Sequence, residues 1–253
     1  MTDHRLELLH RGTLSGEALV VVKGYLSQAD ASGDLVRQVR DAGWRGAIYR
    51  FHWDSSHVNS LLAKYILPAV GASSYGALPI GPAALVAAVT HWDLARRAAK
   101  SAGGDHLSKL VDTLPETRVS LLGHSLGARV VFHALLARSA QPSRSKHVIV
   151  KNAVLAGAAV RRNRGNWDCV AAAVEGRIVN IFNENDKVLK YLFGIAKLKA
   201  GSACGRKPIE FWSPKISNFC VTDEFARAGL KGFLDSHQGH WPLLVRTIGP
   251  HWR

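Results

Sequence analysis

RVSLLGHSLGARVVFHALLA, residues 118–137, is the stretch on which the reading of this chain turns. A run from Val119 to Leu122, apolar except for Ser120, ends at Gly123, a serine stands two places on, and a helical pattern begins at once. The pentapeptide GHSLG, Gly123 to Gly127, fits G-x-S-x-G, in which a serine sits on a strained strand-to-helix turn that exposes its hydroxyl. Glycines two before and two after the serine leave room for strand and helix to approach each other. Five-residue patterns with three fixed positions arise by chance. A strand before and a helix after are the context the motif requires, and they make Ser125 a candidate nucleophile rather than a small residue at a turn.

A serine hydroxyl is a poor nucleophile until a base takes its proton, and the base needs a carboxylate to orient it. In this architecture the chain order is serine, then Asp or Glu, then His. GRIVNIFNENDKVLKYL, residues 176–192, offers Glu184 and Asp186 just past a strand. Asp186 is the better candidate because it also begins a helical pattern, its alternative role there being an N-cap; Glu184 is the reserve. DSHQGHWPLL, residues 235–244, offers His237 and His240 near the start of a helix. His251 is too near the end to favour, and His124 belongs to the serine turn and is expected to point away from the base. An oxyanion needs two backbone N–H donors. The residue after the serine, Leu126, is one; the other is expected after the early strand of VVVKGYLS, at Tyr25 or Leu26, with Tyr25 preferred.

Around this core the elements alternate. EALVVVKGYLS carries a β-branched run from Leu19 to Lys23, closed by Gly24. SGDLVRQVRDAG has helical spacing through Leu35, Val36 and Val39 and stops at Gly43, and RGAIYRFHW reads as a second strand. HWDLARRAAKSAG and DHLSKLVDTL are helical, and KHVIVKNAVLAGAAV and GRIVNIF are strands. DKVLKYLFGIAKLK is a helix, PIEFWSPKISNFCVT holds one or two short strands, and GHWPLLVRTIG is a last helix. Apolar strands separated by helices predict a mostly parallel sheet covered on both faces. No internal repeat, low-complexity tract or linker interrupts the chain, so residues 1–253 are expected to form a single domain.

Composition bounds the partners. The 253 residues are 47% hydrophobic, enough for one core, and 33 lysines and arginines against 19 aspartates and glutamates give a formal net charge of +14. That balance attracts anionic partners, with local clusters at Arg161, Arg162 and Arg164 and from Lys187 to Lys215. No basic run with interleaved aromatics and no zinc-finger or helix-turn-helix signature is present, which argues against specific nucleic-acid binding. Cys169, Cys204 and Cys220 form no CxxC pair and no disulfide framework, so buried free thiols are expected. No His/Cys/Asp cluster has metal-ligand spacing, and no cofactor is expected. The opening MTDHRLELLHRGTLSGE lacks the apolar core of a signal peptide, which leads to a cytoplasmic expectation. One stretch stands apart: Tyr65 to Trp92 contains no Asp, Glu, Lys or Arg. Pro68, Pro79, Pro82, Gly71, Gly76 and Gly81 break it into a loop or helical hairpin, with a firmer helix from near Ala83. It reads as a buried insertion, an apolar lid or a lipid-contacting patch.

VVVKGYLSQ, IYRFHWDSS, VSLLGHSLGARVV, NAVLAGAAV, GRIVNIFNENDKVLKYLF and SHQGHW together resemble the hydrolase-like domain of the transmembrane and coiled-coil domain-containing protein 4 family, an α/β-hydrolase-fold group. The resemblance runs from about Ala18 to Trp241; GYLSQ, FHWDSS and NENDKVLKYL are its more particular matches. It implies an α/β-hydrolase fold with an apolar insertion near residues 65–92, Asp186 as acid, and His237 as base, with His240 where an aromatic is usual. The membrane-spanning segments of larger relatives are not evident here. The expected activity is a serine hydrolase that forms an acyl-enzyme on Ser125 from an ester, lipid esters included, with peripheral contact to anionic membrane. The alternative is a non-catalytic membrane-surface adaptor or anion-binding protein that keeps the hydrolase fold.

Overall fold

The run Ala18–Val22 is apolar throughout, and such a strand is stable only where both of its faces are covered. In the structure, a computed structural model that describes residues 4–24, 32–54, 82–141, 147–163, 165–195 and 202–249, that condition is met. Ala18, Val20 and Val22 enter one hydrophobic core, and Leu19 and Val21 enter a second on the opposite face, the alternation that a strand's two-residue repeat imposes. Seven strands form the sheet: β1 (Arg5–His10), β2 (Glu17–Val22), β3 (Ala47–His52), β4 (Arg118–His124), β5 (Ile149–Ala156), β6 (Ile178–Phe182) and β7 (Ile216–Cys220). Their order is β1-β3-β2-β4-β5-β6-β7, with β1 antiparallel to β3 and every other pairing parallel.

One core is covered by helices α2 (Pro82–Ser101), α3 (Leu126–Ser139), α4 (Trp167–Ala172) and α5 (Lys187–Ile195). The other is covered by α1 (Ser32–Asp41), α6 (Thr222–Arg227) and α8 (Leu244–Thr247), with Trp44 and Trp241 between them. A short helix, α7 (Asp235–Gln238), precedes α8. This is the α/β-hydrolase fold: a mostly parallel sheet with helices on both faces. Helix α3 lies at its centre, buried at every position from Leu126 to Leu135, as a helix with little apolar asymmetry must be. Its far end is tied by buried Arg138, whose Nη1 donates to Asp112 Oδ2 at 2.7 Å and to Ser108 O at 3.0 Å, and whose Nη2 donates to Val148 O at 2.6 Å.

Three sequence expectations need comment. No strand was expected before Glu17, yet β1 pairs with β3 at the sheet edge. Its residues carry no regular burial alternation: Leu6 packs against one core and Leu9 against the other, Leu8 is exposed, and the pairing register shifts between Leu8 and His10. Of the three thiols only Cys204 is buried, where burial pushes its pKa up to about 12; Cys169 is partly exposed and Cys220 exposed. The uncharged stretch is described only from residue 82 on, so the lid, patch and buried readings of residues 65–81 lie outside the described residues. From Pro82, whose fixed φ suits a first helical turn, it is helix, and Trp92 at its end is buried edge-on to Phe193 at 6.0 Å. Among the described residues no helix is long and apolar enough to cross a membrane.

Candidate active site

Strand β4 ends at His124 and helix α3 begins at Leu126, so Ser125 alone makes the turn. It does so at φ 57°, ψ −123°, and it is the one non-glycine residue with positive φ among those described. Such a conformation costs on the order of 1–3 kcal/mol and persists only where surroundings over-determine it. They do: Ser125 N–H donates to Ala156 O on β5 at 3.0 Å, and Ser125 O accepts from Ala128 N–H at 3.2 Å and Ala159 N–H at 3.1 Å. The motif's glycines complete the clamp. A Cβ on Gly127 would strike the carbonyl of Val22 on β2, and one on Gly123 would lie 2.5 Å from Ala128 Cα. At Gly24, just past β2, a Cβ would lie 2.6 Å from that of Ser125, so only glycine lets the end of β2 meet the serine.

The structure brings Ser125, His237 and Asp186 together. Ser125 Oγ–H donates to His237 Nε2 at 2.8 Å, and His237 Nδ1–H donates to Asp186 Oδ2 at 2.6 Å. A carboxylate can only accept, so this pair leaves Nε2 free to take the serine proton. All three side chains are buried, Asp186 completely. Asp186 divides its work: Oδ1 accepts the Leu189 N–H of helix α5 at 2.8 Å, so the capping role and the orienting role fall on different oxygens of one carboxylate. Glu184 is exposed and bonds through its backbone N–H to Thr222 Oγ1; it does not meet His237. Leu126 N–H is the first of α3, where the helix supplies no acceptor, and it adjoins the serine. Tyr25, Leu26 and His251 lie outside the described residues.

Three supporting residues, Asn183, Ser236 and His124, have no role in the sequence reading. Asn183 Nδ2 donates to Ser236 O at 2.7 Å, while its Oδ1 accepts Asn185 N–H at 3.0 Å. Ser236 Oγ in turn accepts Lys187 N–H at 3.1 Å, so the loop carrying Asp186 and the one carrying His237 are clasped at two points. The polar run NEN was the available signal. His124, expected to point away from the base, instead lies with its ring 4.9 Å from that of His237, and its Nε2–H donates to the His237 backbone carbonyl at 3.0 Å. Burial, chiefly, holds its pKa well below 6.5, so it acts as a neutral donor to the His237 backbone.

His240 bonds to neither Ser125 nor Asp186. It packs edge-on to Phe225 at 4.9 Å and lies tilted against His124 at 5.6 Å, and among the described residues neither of its ring nitrogens has a hydrogen-bond partner. Burial first, then the charge of His237, pulls its pKa from 6.5 to about 3. The unfolded chain therefore binds a proton at His240 below pH 6.5 that the folded chain refuses until about pH 3. The stability this gives is complete above pH 6.5 and is lost as pH falls toward 3, at up to about 1.4 kcal/mol per pH unit. Urea unfolding at pH 7 and pH 5 is expected to show His240→Phe losing about 2 kcal/mol less than the parent on acidification. Equal losses in the two proteins would remove His240 as a source of acid sensitivity.

Comparison with known proteins places the chain among sequences rather than reactions. A family model described as "Protein of unknown function (DUF726)" matches residues 54–232, a span that includes Ser125 and Asp186 and ends before His237. An uncharacterized membrane protein of Caenorhabditis elegans is 33% identical over 138 residues, covering 53% of this chain and 21% of that protein. Transmembrane and coiled-coil domain-containing protein STS1 of Oryza sativa subsp. japonica is 33% identical over 147 residues, covering 56% of this chain and 22% of that protein. The match thus spans about a fifth of each relative's length. Among solved structures, LpqC, poly(3-hydroxybutyrate) depolymerase from Bordetella parapertussis, is similar with a TM-score of 0.44 and 13% identity, covering 87% of this chain and 78% of that one.

Proposed function

The chain belongs to the family described as "Protein of unknown function (DUF726)", and from that premise we propose that it is a serine hydrolase acting on an acyl ester through Ser125, His237 and Asp186. The observation that carries the reading is the unbroken hydrogen-bonded line from Ser125 Oγ through His237 to Asp186, built on a serine held at φ 57°. Backbone strain beside a buried hydroxyl–imidazole pair lowers stability, and folded chains keep such costs where chemistry needs them.

In the proposed mechanism His237 Nε2 takes the Ser125 proton as Oγ attacks the ester carbonyl carbon. The carbonyl oxygen becomes an oxyanion, met by Leu126 N–H and by a second N–H that we assign to Tyr25, just past the glycine that lets β2 reach the serine. The tetrahedral intermediate collapses, the bond to the leaving oxygen breaks, and His237 returns the proton to the departing alcohol. Water then attacks the acyl-enzyme by the same exchange and releases the acid. Asp186 remains ionised, holding His237 in the tautomer with its proton on Nδ1 and stabilising the imidazolium.

An acyl chain of appreciable length is the substrate class this reading favours, met at the surface of an anionic membrane. The uncharged stretch from Tyr65 to Trp92 and the net charge of +14 support it, since cationic surfaces are drawn to anionic lipid and apolar segments gain by entering the interface. The relatives named as membrane proteins are consistent with that setting. A nearer kinship with the transmembrane and coiled-coil domain-containing protein 4 family is part of the same proposal, supported by the rice relative's name. Fluorophosphonate labelling tests the nucleophile, and p-nitrophenyl esters of increasing chain length test the substrate class. Labelling of the parent, with turnover rising as the chain lengthens, is the expected result; a folded protein that neither labels nor turns over any ester is the adaptor instead. Co-sedimentation should be strong with anionic vesicles and weak with neutral ones, and should fall with salt as screening shortens to about 8 Å near physiological ionic strength. No sedimentation in any condition, with a preference for short esters, would leave a soluble-ester hydrolase.

A further inference from the structure

The basic cluster noted in the sequence from Lys187 onward takes on a shape in three dimensions. Beyond the carboxyl ends of β6 and β7, where ligands of open α/β sheets bind, lies a cavity of about 330 Å³ lined by Lys187, Lys190, Arg206 and Lys231. Its one acidic lining residue is Glu184, which leaves an excess of three positive charges around the opening. Several buried or half-buried cations elsewhere are paired: Arg138 with Asp112 and Arg162 with Glu210, both at 2.7 Å, and Arg96 with Asp93 at 2.9 Å. Among the described residues none of these four has a carboxylate partner. Lys187 Nζ donates to the backbone of Lys231 at 2.9 Å, and Arg206 Nη2 to that of Glu184 at 2.7 Å. Arg206 Nε, buried, has no acceptor among the described residues. Four unneutralised cations facing one cavity repel one another, a cost that an anion in their midst removes.

We propose that this cavity binds a phosphoryl group. A planar guanidinium among three ammonium groups suits a multiply charged, tetrahedral anion better than a single carboxylate, because the fork engages two oxygens while the lysines meet the remaining charge from other directions. The site stands beside the triad, since neither Ser125 nor His237 lines the cavity. It touches the triad's supports, however: Asn183 and Ser236 both line it, and they are the residues that clasp the Asp186 loop to the His237 loop. A bound phosphoryl group therefore rests against the scaffold that orients acid and base. The shared chemistry has two sources, a free phosphate or phosphomonoester and a phospholipid headgroup.

Isothermal titration of the full chain with inorganic phosphate, at constant ionic strength, tests the site. The parent is expected to bind saturably and to gain thermal stability on binding. Lys190→Gln/Lys231→Gln, in which neither altered side chain holds a structural bond, is expected to bind roughly tenfold more weakly or worse. Arg206→Lys, which keeps the charge and loses the fork, should also weaken binding. Lys109→Gln/Arg246→Gln removes the same charge from exposed positions elsewhere and should bind as the parent does. Absence of saturable binding by the parent, or equal weakening in the two double variants, overturns the proposal. Vesicles of phosphatidylcholine with and without phosphatidic acid identify the source. Displacement of bound phosphate by the phosphatidic acid vesicles alone assigns the cavity to a headgroup, and no displacement assigns it to a free phosphoryl compound. Because the readout is binding, it does not depend on turnover at Ser125.

Discussion

Ser125→Ala is expected to abolish fluorophosphonate labelling and to lower ester turnover by about 10³-fold or more, with the fold unchanged. The substitution removes only Oγ. Alanine carries the same Cβ as serine, so the packing around the turn is preserved, and the three backbone bonds that impose φ 57° do not involve the side chain. The backbone N–H groups at the start of α3 remain, so residual rate above water is expected from them and from substrate binding. Thermal unfolding within a few degrees of the parent, beside a collapse in turnover, is the signature of a lost nucleophile. A variant that hydrolyses the best ester at the parental rate would sink the mechanism.

Asp186→Asn is expected to cost on the order of 10⁴-fold in kcat while leaving stability nearly intact. The reason lies in the two-sided carboxylate. The Leu189 N–H requires an acceptor, so the amide oxygen takes that side and the helix keeps its cap. The amide nitrogen is then turned to His237, placing a donor where Nδ1–H needs an acceptor. The imidazole responds by moving its proton to Nε2, the atom that must receive the serine proton. Glu184→Gln is the control: it is exposed, bonds only through its backbone, and should leave kcat near the parental value. Equal losses in both variants would shift the orienting role away from Asp186.

What was legible in the sequence follows from how local each signal is. Ser125 could be read within ten residues, because the glycines that permit the turn are its chain neighbours and because strand and helix announce themselves on either side. The sheet was legible for a similar reason: runs such as Ala18–Val22 must be buried on both faces, and only helices on both sides can do that. The other side chains that meet the serine depend on contacts between segments 51 and 112 residues apart in the chain, which spacing alone does not rank. Asp186 and Glu184 are two residues apart in one loop, and burial separates them: one is sealed and the other is in solvent. His237 and His240 are equally plausible in sequence until Phe225, on a helix before them, receives the second ring. His124 carried no signal at all, because its partner is a backbone carbonyl, and every residue has one.

The divided duty of Asp186 bears on how relatives should be sorted. Helix α5 needs its first turn capped whether or not any ester is ever cleaved. Selection for folding alone would therefore retain an aspartate here in a descendant that had abandoned chemistry, so its presence certifies nothing about activity. His237 has no comparable second employment: among the described residues its ring nitrogens bond only to Ser125 and Asp186. A lineage that stopped using the site would be free to lose it. The family match in this chain ends at residue 232, so His237 has to be sought separately in each relative.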